Sequence, residues 1–219
     1  MGPDRKNTLP LKFKLPKTNN MITLNRKITP CMKNNFIGRY GQKLKLLTIN
    51  VDVGAFVALA QYYDLPLYFF TFRDFQLALT IKKFEILLSW YLKDHAPFTG
   101  LGEELTPKKA AEALHLIVRE VTPSLGPKGF TRNFLEEKAQ ELEKEGKWEA
   151  FIIFLSLLIY GVVMFLNDDD FINSPPISVF LAKNPVPALL ADMYYWLHTR
   201  HEKKKGVIIC CAPLLYSWC

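Results

Sequence analysis

The sequence predicts a mainly α protein, a multi-helix domain around a central buried apolar helix with a small β-hairpin near its N-terminal side. Two observations carry this prediction. Apolar residues recur at helical spacing between recognisable helix starts, and the run from Ala150 to Leu166 has no formal charge over seventeen residues. Since 49% of the 219 residues are apolar, the chain has enough material for one sizeable core. We expect a helical domain at residues 41–219, preceded by an arm at residues 1–40.

The N-terminal arm holds the positive charge of the protein. Residues 1–47 contain eleven Lys and Arg against one Asp, whereas the rest of the chain carries a net charge of −3. A segment rich in Lys, Asn, Thr and Pro with few aromatics is typical of disorder. Clustered lysines attract polyanions, so nucleic acid is one candidate partner of residues 1–47, and a solvated extension is the alternative. The arm lacks the apolar stretch and cleavage site of a secretory signal.

The first half of the domain is predicted from helix starts and turn residues. We expect order to begin near Leu44 and Asp52 to cap the first helix, which ends before Asp64-Leu65-Pro66. Residues 67–79 contain two short aromatic runs separated by Arg73-Asp74, a pattern that predicts the hairpin. Thr80 then caps a helix with one apolar face.

The second half contains further helix signals. Thr106 followed by proline marks a helix start, and Gly146 ends a charged amphipathic helix at residues 132–145. Two more helices are predicted at residues 177–183 and 188–200. A final apolar stretch occupies residues 207–218.

The apolar run has two possible interpretations. As a helix it spans about 25 Å, at the lower limit for crossing a bilayer, so a single-pass membrane protein through residues 150–166 is one alternative. On a helical wheel, however, Glu149, Ser156, Tyr160 and Asn167 form one narrow polar stripe, which favours a helix buried among neighbours. The acidic residues 168–170 that follow are expected to be a solvated helix exit.

Candidate metal ligands do not form a recognised motif. His198 and His201 lie three apart beside Glu202, and the protease-type zinc motif needs a different spacing. Residues 168–170 lack the alternating ligands and the glycine of a calcium loop. No metal-binding residue is therefore predicted.

The four cysteines are expected to be free thiols in a reducing compartment. They are Cys31, Cys210, Cys211 and Cys219, and the adjacent pair does not have the spacing of a metal knuckle.

Catalytic and cofactor motifs are absent from the sequence. Asp94-His95 is an isolated pair without a nucleophile motif, and neither a Walker loop nor G-x-G-x-x-G occurs. The aromatics Trp90, Tyr194, Tyr195 and Trp196 lie in apolar helices, where core packing is their expected role. No catalytic or cofactor-binding residue is predicted, and we expect the protein not to be an enzyme.

Five long strings resemble one known family. They are residues 51–85 (VDVGAFVALAQYYDLPLYFFTFRDFQLALTIKKFE), 93–103 (KDHAPFTGLGE), 146–165 (GKWEAFIIFLSLLIYGVVMF), 180–206 (FLAKNPVPALLADMYYWLHTRHEKKKG) and 207–218 (VIICCAPLLYSW). Together they resemble the plant mobile domain family, also labelled aminotransferase-like, in its legume-expanded uncharacterised branch. The resemblance covers about residues 40–219.

The resemblance implies a mostly helical domain that is spread by transposable elements. It also implies relatives among nuclear proteins of transposon silencing and meristem maintenance, some with a phosphatase-like partner. No catalytic residues are established for the family, and this sequence offers no pyridoxal-lysine context. Lys82-Lys83 stand where relatives carry two acids, and Ser89-Trp90-Tyr91 replaces a Gly-Trp-Pro turn. Because relatives continue past Trp218, we expect an amino-terminal portion of the domain.

These observations define the functional hypotheses. The first is a non-enzymatic, transposon-derived interaction module without cofactor, linked to transposon silencing and located in the nucleus, with the cytoplasm as the alternative location. The other two are a nucleic-acid-associated protein using the basic arm and the single-pass membrane protein.

Overall fold

A computed structural model describes residues 8–92 and 105–218. The helices are α1 (Asn19–Arg26), α2 (Pro30–Tyr40), α3 (Val53–Ala60), α4 (Ile81–Leu88), α5 (Pro107–Leu114), α6 (Val118–Val121), α7 (Arg132–Lys144), α8 (Trp148–Leu158), α9 (Ser174–Ala182), α10 (Pro185–Glu202) and α11 (Ala212–Trp218). The strands are β1 (Leu11–Phe13), β2 (Tyr63–Asp64), β3 (Phe69–Thr71), β4 (Gln76–Leu77), β5 (Leu125–Gly126), β6 (Gly129–Thr131), β7 (Phe171–Asn173) and β8 (Gly206–Ile208). The predicted mainly α class is confirmed.

The predicted disorder of residues 1–40 is wrong for residues 8–40, which are folded against the domain. β1 pairs in parallel with β8, so the N-terminal segment is joined to the C-terminal part of the chain. Met21 and Leu24 of α1 and Phe36 of α2 are buried in the common core. These few apolar residues anchor a segment whose composition is otherwise polar, because burying them removes apolar surface from water.

Acidic residues of the domain hold the basic segment in place. Lys14 and Lys17 both pair with Asp169, at 2.8 and 2.7 Å. Lys27 pairs with Glu143 of α7, and Arg39 pairs with Glu149 of α8. The positive charge of residues 8–40 is thus partly neutralised within the molecule.

The predicted helix caps are confirmed. The Asp52 carboxylate accepts hydrogen bonds from the backbone N–H groups of Gly54 and Ala55, at 2.8 and 3.1 Å. The hydroxyls of Thr80 and Thr106 accept from the N–H groups three residues later. These bonds satisfy donors that the first helical turn leaves unpaired, which is why the sequence signal is local.

The apolar run forms the buried centre of the fold. α8 continues into π-helical turns at Ile159–Met164, and every residue from Phe151 to Met164 is buried. Ser156 and Tyr160 of the predicted polar stripe are buried as well, whereas Glu149 and Asn167 at its two ends are exposed. Within the part of the chain that the structure describes, no helix is long and apolar enough to cross a membrane.

Two three-stranded sheets flank the helices. The first has the order β2-β3-β4, and its β3–β4 pair is the predicted hairpin. The second has the order β5-β6-β7 and was not predicted, since its strands lie in segments rich in Pro and Gly. Gly129 in β6 has φ +128°, and a Cβ there would lie 3.0 Å from Asn173 Cα, so this close strand contact requires glycine.

Candidate functional site

The most unusual surface of the protein is apolar and lies around the first sheet. Nine of the fifteen exposed large apolar side chains in residues 8–92 and 105–218 fall between residues 62 and 91. We define the hairpin surface as the six that belong to the sheet and its turns, namely Tyr62, Leu67, Tyr68, Phe69, Phe75 and Leu77. Concentrated exposed apolar residues on a globular domain mark a contact site for another molecule.

The hairpin is built by its register and a two-residue loop. The Phe72 N–H donates to the Phe75 carbonyl at 2.9 Å, which closes the loop Arg73-Asp74. Phe70 pairs with Leu77, and the Thr71 N–H donates to the Tyr62 carbonyl at 2.8 Å. Alternating strand geometry sends Phe70 into the core and leaves Phe69 on the outer face.

The inner face of the sheet is fixed to the helical core. Phe70 has no exposed surface and lies 5.3 Å from the ring of Trp218 in α11, centroid to centroid. Tyr63 lies 5.1 Å from the ring of His201 in α10. Burial raises the pKa of the Tyr63 hydroxyl, so this group stays a neutral phenol at physiological pH.

Ring contacts also organise the aromatic side chains around the sheet. Tyr62, Phe72 and Phe75 form a stacked series, with centroid distances of 4.7 and 4.6 Å. Tyr68 stacks on His198 of α10 at 5.1 Å. Because these rings are held by one another before any partner arrives, less conformational entropy is lost on binding.

The histidines considered as metal ligands have separate structural roles. The ring of His201 lies between the carbonyls of Leu197 and Ala60, with Nδ1 and Nε2 at 2.8 and 2.6 Å, and links α10 to the end of α3. His198 instead packs on the hairpin surface through Tyr68. Among the residues that the structure describes, no group of His, Cys, Asp and Glu is placed to hold a metal ion.

The thiols are free in the described residues, with Cys31 exposed and Cys210 and Cys211 buried. Burial raises the pKa of Cys211 to about 12, which leaves it an unreactive thiol at neutral pH. Cys219 and the Asp94-His95 pair lie outside the described residues.

The acidic residues at the exit of the apolar run are not simply solvated. Hydrogen bonds from Lys14 and Lys17 lower the pKa of Asp169 to about 2. Asp168 accepts the N–H of Asp170 at 3.0 Å. Asp169 therefore binds the N-terminal segment to the domain. No local sequence pattern predicts these ion pairs, because the partners lie more than 150 residues apart.

The predicted core role of the aromatics holds for some of them. Tyr194 donates its hydroxyl to the Leu79 carbonyl at 2.9 Å, and Trp90 and Trp196 are half-buried. Tyr195 is 61% exposed, so core packing is wrong for this residue. Successive residues of a helix project about 100° apart, so Tyr195 of α10 faces away from the side on which Tyr194 is bonded.

A buried lysine is the main feature that the sequence did not reveal. Lys43 has no exposed surface, and its Nζ lies 4.1 Å from the Trp90 ring centroid and 5.6 Å from that of Tyr160. The ammonium also donates to the Tyr40 carbonyl. Burial lowers the pKa of Lys43 to about 7. A side chain closed off from solvent does not meet a dissolved substrate, so we assign it a packing role against the central helix.

Asp192 is a second ionisable group, half-buried but with an enclosed carboxylate oxygen. It lies on α10 near the two buried cysteines, and its Oδ2 has no hydrogen-bond partner among the described residues. Burial raises its pKa to about 7, although a hydrogen bond from Trp196 opposes the shift. In the sequence, Lys43 and Asp192 resemble ordinary surface charges. Only the residues packed around them in the fold set them apart from exposed Lys and Asp side chains.

Fold and surface together define a mainly α domain with an exposed aromatic sheet and, within its described residues, without a metal cluster. A family profile described as "Domain of unknown function (DUF7745)" matches residues 21–219. The chain therefore belongs to this family, and the match begins within α1. No curated protein and no solved structure matches the chain.

Proposed function

We propose that this protein is a non-catalytic protein-interaction module whose contact site is the hairpin surface. The observation that carries the proposal is the cluster of six exposed apolar side chains on a sheet that Phe70 anchors to the helical core. Aromatic residues on a rigid support are the usual energetic centres of protein interfaces.

The resemblance to the plant mobile domain family supports a more specific form of this proposal. This form is a nuclear module of a transposon-derived protein linked to silencing, with a phosphatase-like protein as a candidate partner. None of these assignments needs a cofactor or a catalytic group.

The nucleic-acid hypothesis receives less support from the charges of the folded chain. Lys14, Lys17, Lys27 and Arg39 are all engaged with carboxylates of the domain. Each phosphate contact by one of these side chains would first have to break an ion pair. We therefore treat nucleic acid as an alternative outcome of the experiment.

Affinity purification from nuclease-treated plant nuclear extract tests the proposal with two matched variants. The surface variant carries Phe69→Thr, Phe75→Thr and Leu77→Thr, which keep strand propensity while removing the apolar contacts. The control variant replaces three exposed apolar residues elsewhere, by Leu15→Thr, Ile117→Thr and Val118→Thr.

We expect the native chain and the control variant to recover the same proteins and the surface variant to lose them. Equal recovery by all three proteins would contradict the hairpin surface as the contact site. Loss of every partner on nuclease treatment would instead favour the nucleic-acid alternative.

A further inference from the structure

The outer edge of the first sheet is a free strand. Within the described residues the strand order is β2-β3-β4, so β4 has a neighbour on one side only. All residues from Arg73 to Leu77 are exposed, including both residues of β4. Because successive side chains of a strand point to opposite faces, β4 is open to solvent on both faces as well as along its edge.

The backbone of Gln76 faces this open edge. In antiparallel pairs, residues that exchange backbone hydrogen bonds alternate with residues that do not. The Phe72–Phe75 pair is bonded, so the next pair, Thr71–Gln76, is not. In agreement, the Thr71 N–H donates to the Tyr62 carbonyl, just before β2, on the opposite side of β3. The N–H and C=O of Gln76 therefore point away from the sheet.

Natural edge strands usually carry lysine, proline or a bulge that prevents pairing with another chain. β4 and its flanking residues read Phe75-Gln76-Leu77-Ala78 and contain none of these charges or prolines. The exposed apolar side chains Phe75 (55%) and Leu77 (36%) lie on one face of this segment. The edge is thus open to strand addition by a partner with alternating apolar residues.

The charges around the edge favour an acidic partner. Arg73 precedes β4, and Lys82 and Lys83 follow it at the start of α4, all three exposed. Asp74 is the one exposed carboxylate in this stretch, because Glu85 is buried and paired with Lys82. Arg73 and Lys83 are the exposed cations of this stretch without an ion pair in the described residues.

We propose that the edge of β4 binds an extended acidic peptide of a partner protein as a fourth strand. This inference rests on the proposed interaction function. The peptide bonds through its backbone to Gln76, places apolar side chains on Phe75 and Leu77, and brings carboxylates to Arg73 and Lys83.

A phage-displayed random-peptide library, selected on the full-length protein, provides the probe. We expect the enriched peptides to alternate β-branched or aromatic residues with Asp and Glu. Enrichment of basic or proline-rich sequences, or no enrichment above uncoated wells, would overturn the inference.

Affinity for the best selected peptide, labelled with fluorescein, is then measured by anisotropy. Gln76→Pro removes the outward N–H without touching a bond to β3, and proline is tolerated at such edge positions. We expect it to weaken binding about tenfold, since one hydrogen bond and the strand alignment are lost. The control Gln76→Thr keeps the N–H and should bind within about twofold of the native chain. Equal affinity of the native chain and Gln76→Pro would overturn strand addition.

A peptide N-methylation scan on the native protein avoids any effect of substitutions on folding. Strand addition predicts that methylation weakens binding at every second amide, because only alternate amides face β4. Uniform tolerance or uniform loss along the peptide would overturn the inference.

Two further results separate this inference from the proposed function. If Gln76→Pro recovers nuclear partners as the native chain does while the surface variant loses them, the hairpin surface is correct and strand addition is wrong. If sedimentation shows that the native chain forms a dimer that Gln76→Pro abolishes, the occupant is a second copy instead of an acidic peptide.

Discussion

Two apolar regions of this protein differ in how far they are buried. The run through α8 and its π-helical turns is buried at every position from Phe151 to Met164. Residues 62–77 contain ten large apolar side chains, yet Tyr62, Phe75 and four others remain exposed. Apolar composition thus indicates which regions can be buried. Whether a region is buried depends on how many other elements pack against it.

The difference follows from how many elements surround each region. The central helix has α7 along one side and α1, α2, α5, α9 and β7 around it and its π-helical turns. The first sheet has the helical core on its inner face, through contacts such as Phe70 to Trp218. The core covers Phe70 but does not extend over the hairpin end or the β4 edge, so Phe75 and Leu77 stay exposed there.

The largest expected effect compares the same substitution in both regions. Phe154→Ala in α8 should lower the free energy of unfolding by about 3–5 kcal/mol, because it leaves a cavity in a fully packed site. Phe75→Ala removes a ring that is 55% exposed and should change it by less than about 1 kcal/mol. Chemical denaturation of both variants checks the difference, and equal losses would show that the sheet is also core.

A smaller effect is expected from Lys43, which packs on Tyr160 of the central region. Lys43→Met should raise the free energy of unfolding at pH 7 by about 1–4 kcal/mol, since it removes a buried cation without an ion-pair partner in the described residues. The aromatic contacts with Trp90 and Tyr160 limit the gain.

The pH dependence of stability tests whether the buried charge of Lys43 is what lowers the stability of the native chain. Burial lowers the pKa of Lys43 from 10.5 to about 7, so the unfolded chain binds more protons between these values. Native stability should therefore rise with pH across this window, and Lys43→Met should flatten the rise. The same slope in both proteins, measured by denaturation at a series of pH values, would assign it to other groups.

The smallest effect concerns the end of the apolar run, where Asp169 holds the basic segment. Because the folded pKa of Asp169 is lowered to about 2, its contribution is present above about pH 4 and is lost as the pH falls toward 2. Asp169→Asn should cost less than about 1 kcal/mol, the range of partly exposed ion pairs.

Hydrogen exchange detects this local change better than global unfolding. We expect faster exchange in residues 11–17 of Asp169→Asn at neutral pH. Asp170→Asn is the control, since its side chain has no ion pair among the described residues. Equal exchange in the two variants would mean that β1–β8 pairing alone holds the segment.

Local signals explain how much of the fold was predictable. Asp52, Thr80 and Thr106 were identified as caps because a cap bonds to backbone groups two or three residues away. The hairpin followed from two aromatic runs around a short turn. The folding of residues 8–40 was missed because α1 offers only Met21 and Leu24 to the core, too few to outweigh its polar composition.

The candidate site was less predictable for a different reason. The sequence identified the aromatic runs of residues 67–79 but gave no measure of their exposure. The free edge at Gln76 depends on hydrogen bonds that involve three strands, and the burial of Lys43 depends on Trp90 and Tyr160. These are contacts between residues distant in the chain, so no local pattern encodes them.

The sequence by itself determined the mainly α class, the central apolar helix and the positions where helices begin, since each depends on propensity or periodicity within a few residues. Tertiary structure alone decided that residues 8–40 are ordered, that Lys43 is enclosed and that aromatic side chains of the first sheet stay exposed. The physical reason is that burial is a property of neighbours. A residue is covered only where folding brings other elements against it.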